Sequence, residues 1–136
     1  MSASSVRLSW SGEGLVFTGV VEDGPEITLD SDGAAGPSPT QLLLLSLAGC
    51  MGVDVRMILE KCRVPLDSLE VVVEGDRAPS PPRRFKALRL VYRLEGPSEA
   101  DEGKIERAVQ LSKDKYCSVL HTLREDLSLD IRIERV

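Results

Sequence analysis

"SPTQLLLLSLAGCMGVDVRMILEKCR", residues 38–63, is the stretch on which the fold turns. Ser38 is placed to cap a helix, and Pro39 suits the first helical position, where a backbone N–H has no partner in any case. Gln41, three residues after Ser38, completes a capping-box pattern, in which each side chain satisfies the other residue's N–H. From Leu42 to Leu59 the segment is apolar nearly all round, so a helix over about Ser38 to Arg63 is expected to be central and buried on several sides. Its middle, "SLAGCMG", is unusually small. Each mid-helix glycine costs about 1 kcal/mol against alanine, and close approach of another backbone would offset that. A second helix against the Gly49–Gly52 face, including one from a second subunit, would supply it. The apolar run ends at Asp54 and Arg56 and is broken by Ser46 and two glycines. A membrane span needs about 20 apolar residues, so no span is expected here.

Around this helix the chain reads as strands, then strands and helices. "SVRLSW" and "GLVFTGVV" partly alternate across the turn signal "SGEG", and "PEITLD" makes a third short strand. "SDGAAGPSP" is a loop of turn residues. "VPLDSLEVVVEG" leads into a strand. "FKALRLVYRLEG" alternates, with Leu88, Leu90, Tyr92 and Leu94 on one side and Arg89 and Arg93 on the other, the pattern of a half-solvated antiparallel strand. Ser98 is expected to cap a second helix through about Lys113, with Ile105, Ala108, Val109 and Leu111 facing inward. A short helix around Ser118 to Glu125 follows, and "LSLDIRIERV" closes as a strand. The expected class is α+β, with 1–136 as one domain.

Composition limits the function classes. The chain has 136 residues, 42% hydrophobic and 29% charged, the balance of a soluble globular protein, and only 4% aromatic, so the core must be aliphatic. The net charge of −5 argues against a nucleic-acid partner, which would need clustered Lys and Arg. "MSASSVRLSW" has no apolar h-region behind its charge, so no leader is expected. Three cysteines in such a chain point to a reducing cytoplasm, where any disulfide is transient and catalytic.

The cysteines are the candidate chemistry. Cys50 and Cys62 lie on one helix, about 120° apart around its axis and roughly 18 Å along it. They cannot meet within that helix, and Cys62 reads as incidental. Cys50 could be an inert buried thiol. Asp54, one turn later on the same face, would oppose its ionisation. Cys117 stands between two helices, and His121 at i+4 could share its face. That pair could be a Cys/His nucleophile or half of a metal site, or His121 could be a packed or capping residue. No further His and no CxxC pair is present, so no metal is expected. No GxSxG elbow and no Walker or dinucleotide glycine pattern occurs. The chemistry, if any, is thiol chemistry.

At these residues the sequence resembles a known family. "GPSPTQLLLLSLAGCMGVDV" is similar to the central-helix signature of OsmC-like proteins, the osmotically inducible protein C and organic hydroperoxide resistance superfamily. "AVQLSKDKYCSVLHTL" looks like that family's second-cysteine segment, and the two occur in the family's order. The resemblance runs from about residue 12 to 136. It implies antiparallel sheets around a long central helix in an intertwined homodimer. It also implies a thiol peroxidase that reduces small organic hydroperoxides, with Cys50 peroxidatic and Cys117 resolving. An external dithiol would be the reductant, and no cofactor is needed. The chain departs from the catalytic pattern where the family carries a Glu just after the helix-opening Pro: Thr40 stands there. The family's polarising Arg has no evident counterpart either, since Arg7 is the only Arg before the helix. Asp54, His121 and Thr40 are the residues that could support the cysteines. The other reading is an OsmC-like stress-associated or ligand-binding dimer without efficient turnover.

Overall fold

The computed structural model describes residues 4–136. The chain divides into two compact units, one ending at Leu43 and the other running from Leu44 to Val136.

The first unit is an antiparallel sheet of β1 (Val6–Trp10), β2 (Val16–Val21) and β3 (Glu26–Asp30) in that order. Register is set by pairs such as Trp10–Phe17 and Thr18–Thr28. Gly12, at φ 92°, and Gly14, at φ 51°, make the β1–β2 turn in backbone territory that other residues enter only at a cost. After β3, the Asp30 carboxylate accepts N–H bonds from Asp32, Ala34 and Ala35. The N–H groups of Ala35 and Asp32 hold that carboxyl below the usual carboxylate range. They fold the turn-rich loop back before the helix begins.

Helix α1 covers Pro39–Lys61. The capping box forms as its residues dictate. The Gln41 N–H donates to Ser38 Oγ at 3.2 Å, and the Ser38 N–H donates to Gln41 Oε1 at 2.9 Å. At 23 residues, α1 is long and apolar enough by composition to cross a membrane. Leu47, Met51, Val55 and Leu59, one per turn, are buried, so within this chain the helix is covered along one face and not on several sides as its apolar run suggested.

The second unit holds a sheet of β4 (Ser68–Arg77), β5 (Phe85–Glu95) and β6 (Ser128–Arg135). β4 and β5 pair antiparallel, and β5 and β6 pair parallel. The parallel pair departs from the all-antiparallel sheets the sequence suggested. Its reason is the long connection between β5 and β6: a short 3-10 turn, α2 (Glu102–Leu111) and α3 (Ser118–Thr122), which carries the chain back to re-enter the sheet in the same direction. Leu88, Leu90, Tyr92 and Leu94 of β5 are buried, as their alternation required. With Ile105, Ala108 and Val109 of α2 and the buried stripe of α1 they form one cluster. Gly52 belongs to this packing, since a side chain there would meet Val71 of β4 at 3.3 Å. Gly49 faces open space. The close approach expected across both glycines is therefore made, within this chain, at Gly52 alone.

The second helix is shorter than its sequence pattern. α2 ends at Leu111, and Ser112–Tyr116 form a wider turn in which the Cys117 N–H donates to the Ser112 carbonyl at 2.9 Å. One such i→i−5 turn inserts an extra residue into the helical ladder and resets the phase of the residues after it. α3 likewise stops at Thr122, short of the expected Glu125.

Candidate functional site

The second unit brings Cys50 of α1 and Cys117, the residue that caps α3, into one cluster with Asp54. Their two sulfurs and a carboxylate oxygen all lie within 4.8 Å of one another. Neither thiol is in a disulfide, and neither is Cys62; Cys117 is buried, Cys50 half-buried and Cys62 exposed. Local geometry explains the meeting. Cys50 and Asp54 are one turn apart on α1 and share a face. Its wide turn behind it, Cys117 enters α3 as N-cap, and its sulfur accepts the Leu120 N–H at 3.3 Å.

The environment makes the two thiols unequal. Burial pushes the Cys50 thiol up, but the Val119 N–H, the Cys117 thiol and the Ser118 hydroxyl point at its sulfur and together hold it below the usual thiol value; Asp54 opposes them. Burial also pushes Cys117 up, to about 11. The Leu120 N–H pulls it down, and the proximity of Cys50 and Asp54 adds to the rise. When one proton leaves the pair it leaves Cys50, and Cys117 keeps its own and donates to the thiolate. The thiol that ionises more readily is thus the more accessible of the two.

Two polar residues that the sequence patterns did not single out complete the cluster. The buried Ser112 hydroxyl donates to the Asp54 carboxylate at 2.9 Å and so fixes the acid beside the sulfurs. Tyr92 is fully buried, and its hydroxyl has no hydrogen-bond partner among the described residues. Burial, with Cys117 the next largest influence, pushes this phenol well above the usual tyrosine range; Ser112, Asp54 and Cys50 are its other neighbours. Both had a signal. Ser112 continues the apolar face of Ala108 and Val109, and Tyr92 takes an inward slot in the alternation of β5.

The other sequence candidates lie elsewhere. The His121 ring is exposed, and its Nε2–H donates to the Lys113 carbonyl at 2.9 Å, pinning α3 to the wide turn. Thr40 sits in the first turn of α1 with its hydroxyl 3.3 Å from Ser38 Oγ. Two thiols and a carboxylate are donor types that metals accept, but a closed tetrahedral site needs a fourth ligand, and the one imidazole of the chain is held by Lys113. A groove of about 470 Å³ adjoins the cluster through Asp54. Met57, Ile58 and Leu111 give it apolar walls, and Lys61 and Cys62 also line it.

The sequence profile described as OsmC-like protein matches residues 30–132. The chain belongs to the OsmC-like family. Among its OsmC-like relatives, the protein YhfA of Escherichia coli strain K12 is 34% identical over 124 residues, covering 90% of this chain and 91% of YhfA. A solved structure of a hypothetical protein from Aquifex aeolicus VF5 superposes with a TM-score of 0.87 at 32% identity, over 100% of this chain and 98% of the other. The organic hydroperoxide resistance protein OhrB of Bacillus subtilis shares the OsmC-like fold at a TM-score of 0.63 and 19% identity, over 99% and 98% of the two chains.

Proposed function

We propose that this protein is a two-cysteine thiol peroxidase for organic hydroperoxides. The observation that carries the reading is the unequal pair of free thiols, Cys50 and Cys117, within 4.8 Å of each other. The Cys50 thiolate attacks the outer peroxide oxygen. The O–O bond breaks, the alkoxide takes a proton and leaves as an alcohol, and Cys50 becomes a sulfenic acid. Cys117 then attacks that sulfur, water departs and a disulfide forms. An external dithiol returns both residues to thiols, and no cofactor enters the cycle. The sulfurs must close to about 2 Å for the bond to form, a local movement of a short helix. The apolar walls beside Asp54 suit an alkyl group, worth about 0.8 kcal/mol for each CH₂ buried. That an organic hydroperoxide resistance protein shares the fold supports organic hydroperoxides as the substrate class.

The functional form is a homodimer in the cytoplasm. Leu45, Val53 and Met57 are 64%, 57% and 51% exposed, and with the open Gly49 they line one face of α1. A second copy would cover it. The reading without efficient turnover keeps one observation in its favour: Asp54 places negative charge beside both thiols. Mass spectrometry after one equivalent of cumene hydroperoxide tests the proposal. A Cys50–Cys117 linkage formed faster than free cysteine is oxidised is expected. Thiol loss no faster than that of free cysteine leaves the binding dimer.

A further inference from the structure

Asp54 is the member of the cluster that a simple thiolate mechanism does not want. It raises both thiols, so a standing negative charge on either sulfur is less stable for its presence. Yet the structure holds it firmly in place. Ser112, buried at the start of the wide turn, donates a hydrogen bond to one carboxylate oxygen, Oδ2. The groups around the acid are few: Cys50 on its own helix, Cys117 and Ser112 from the segment after α2, and the Tyr92 phenol from β5. Lys61 shares the groove that Asp54 also lines. A carboxylate within 4.8 Å of both sulfurs spans the two places where protons must move during disulfide formation, directly or through one water.

We propose that Asp54 takes the proton from Cys117 as that thiol attacks oxidised Cys50, and hands it to the departing hydroxide. The inference deepens the peroxidase reading and rests on it for the identity of the oxidised partner. The step balances. The Cys117 S–H bond breaks and its proton goes to Asp54. The Cys117 sulfur forms a bond to the Cys50 sulfur, whose S–O bond breaks. The hydroxide leaves with the Asp54 proton as water, and the carboxylate is regenerated. Cys117 is oxidised and the sulfenyl sulfur reduced, with no other reagent. Because Cys117 holds its proton tightly in this burial, an acceptor that need not come from solvent matters most at this step. The Ser112 hydroxyl positions that acceptor.

A probe without peroxide separates this role from the peroxidase reading. In a Cys62→Ser background, Cys50 is loaded with thionitrobenzoate using the matching aromatic disulfide. Attack by Cys117 then releases coloured thionitrobenzoate, a leaving group that needs no proton, so the rate reports Cys117 deprotonation and attack alone. With Asp54 present the release rate is expected to be level from pH 6 to 8. Asp54→Asn should release about 100-fold more slowly at pH 7 and gain tenfold per pH unit, as hydroxide replaces the lost base. Cys117→Ser should release none, which identifies the attacking thiol. An Asp54→Asn rate equal to that of the parent overturns the proposal. So does a parent rate that itself climbs tenfold per pH unit, and that profile decides the matter even if Asp54→Asn does not fold. A level parent profile in a protein that does not turn over hydroperoxide would sink the peroxidase reading and leave the role of Asp54 standing.

Discussion

Two faces of α1 carry similar residues to different ends. One face holds Leu47, Met51, Val55 and Leu59, at most 1% exposed, packed into the cluster with β5 and α2. The other holds Leu45, Gly49, Val53 and Met57, at the same four-residue spacing, all exposed. Hydropathy does not tell these faces apart. Their difference lies in what the rest of the chain offers. β5 presents an inward row for the first face, while on the second a side chain added at Gly49 would meet nothing within 4 Å. Between them runs a short strip, Cys50 and Asp54, which meets Cys117. Covered apolar residues stabilise the fold; uncovered ones ask for a second molecule.

The strongest test of that contrast falls on the strip between the two faces. Cys50→Ser should abolish peroxide-driven disulfide formation and any sulfenate signal, while Cys117→Ser should oxidise once and accumulate the sulfenic acid. Normal turnover in Cys117→Ser would remove the two-cysteine mechanism. Next comes the uncovered face. Val53→Glu puts a charge in the middle of the stripe and should convert a dimer to a monomer in light scattering at micromolar concentration. A wild-type protein that is already monomeric would mean that the face has no self-partner. On the covered face, Met51→Ala should cost about 2–5 kcal/mol in denaturant unfolding. A cost as small as that of Met57→Ala in the monomeric Val53→Glu background would show that the two faces are equivalent after all.

A smaller effect is expected with pH. The folded state holds the Cys117 proton more tightly than the unfolded chain, whose thiol titrates near 9.0. Its contribution to stability is complete below pH 9.0 and is lost as pH rises through the folded value. Cys50, lowered in the folded state, has the opposite sign and acts below 9.0. Urea midpoints followed from pH 7 to 11 should therefore fall at the alkaline end, and Cys117→Ser should reduce that fall between pH 9 and 10, leaving above pH 10 the part that belongs to the raised Tyr92 phenol. An unchanged slope in the variant would show that the thiol is not perturbed by folding. The smallest effect belongs to Cys62, exposed and outside the cluster. Cys62→Ser exchanges one sulfur for an oxygen at the lining of the groove, away from the reacting atoms, and should leave the peroxidase rate within about twofold. A loss matching that of Cys50→Ser would make Cys62 the resolving thiol.

The chain's local rules were legible without coordinates. Ser38, Pro39 and Gln41 specify the start of α1 through bonds made within one turn, and the alternation of Leu88, Leu90, Tyr92 and Leu94 specifies which side of β5 is buried, because side chains on a strand must point to alternate faces. The place of Cys50 beside Asp54 also followed, since residues four apart on a helix share a face. Three features were set by tertiary structure. The parallel pairing of β6 depends on how the α2–α3 connection packs, and no residue within β6 encodes it. The wide turn at Ser112–Tyr116 breaks a pattern that continued as helix by sequence, because it turns Ser112 onto Asp54 and delivers Cys117 to Cys50. The inequality of the two thiols depends on the burial of Cys117 and on the Val119 N–H aimed at Cys50; the Leu120 N–H, aimed at Cys117, lessens it. Every residue but proline carries such a group, so the sequence contains the donors but only the fold aims them.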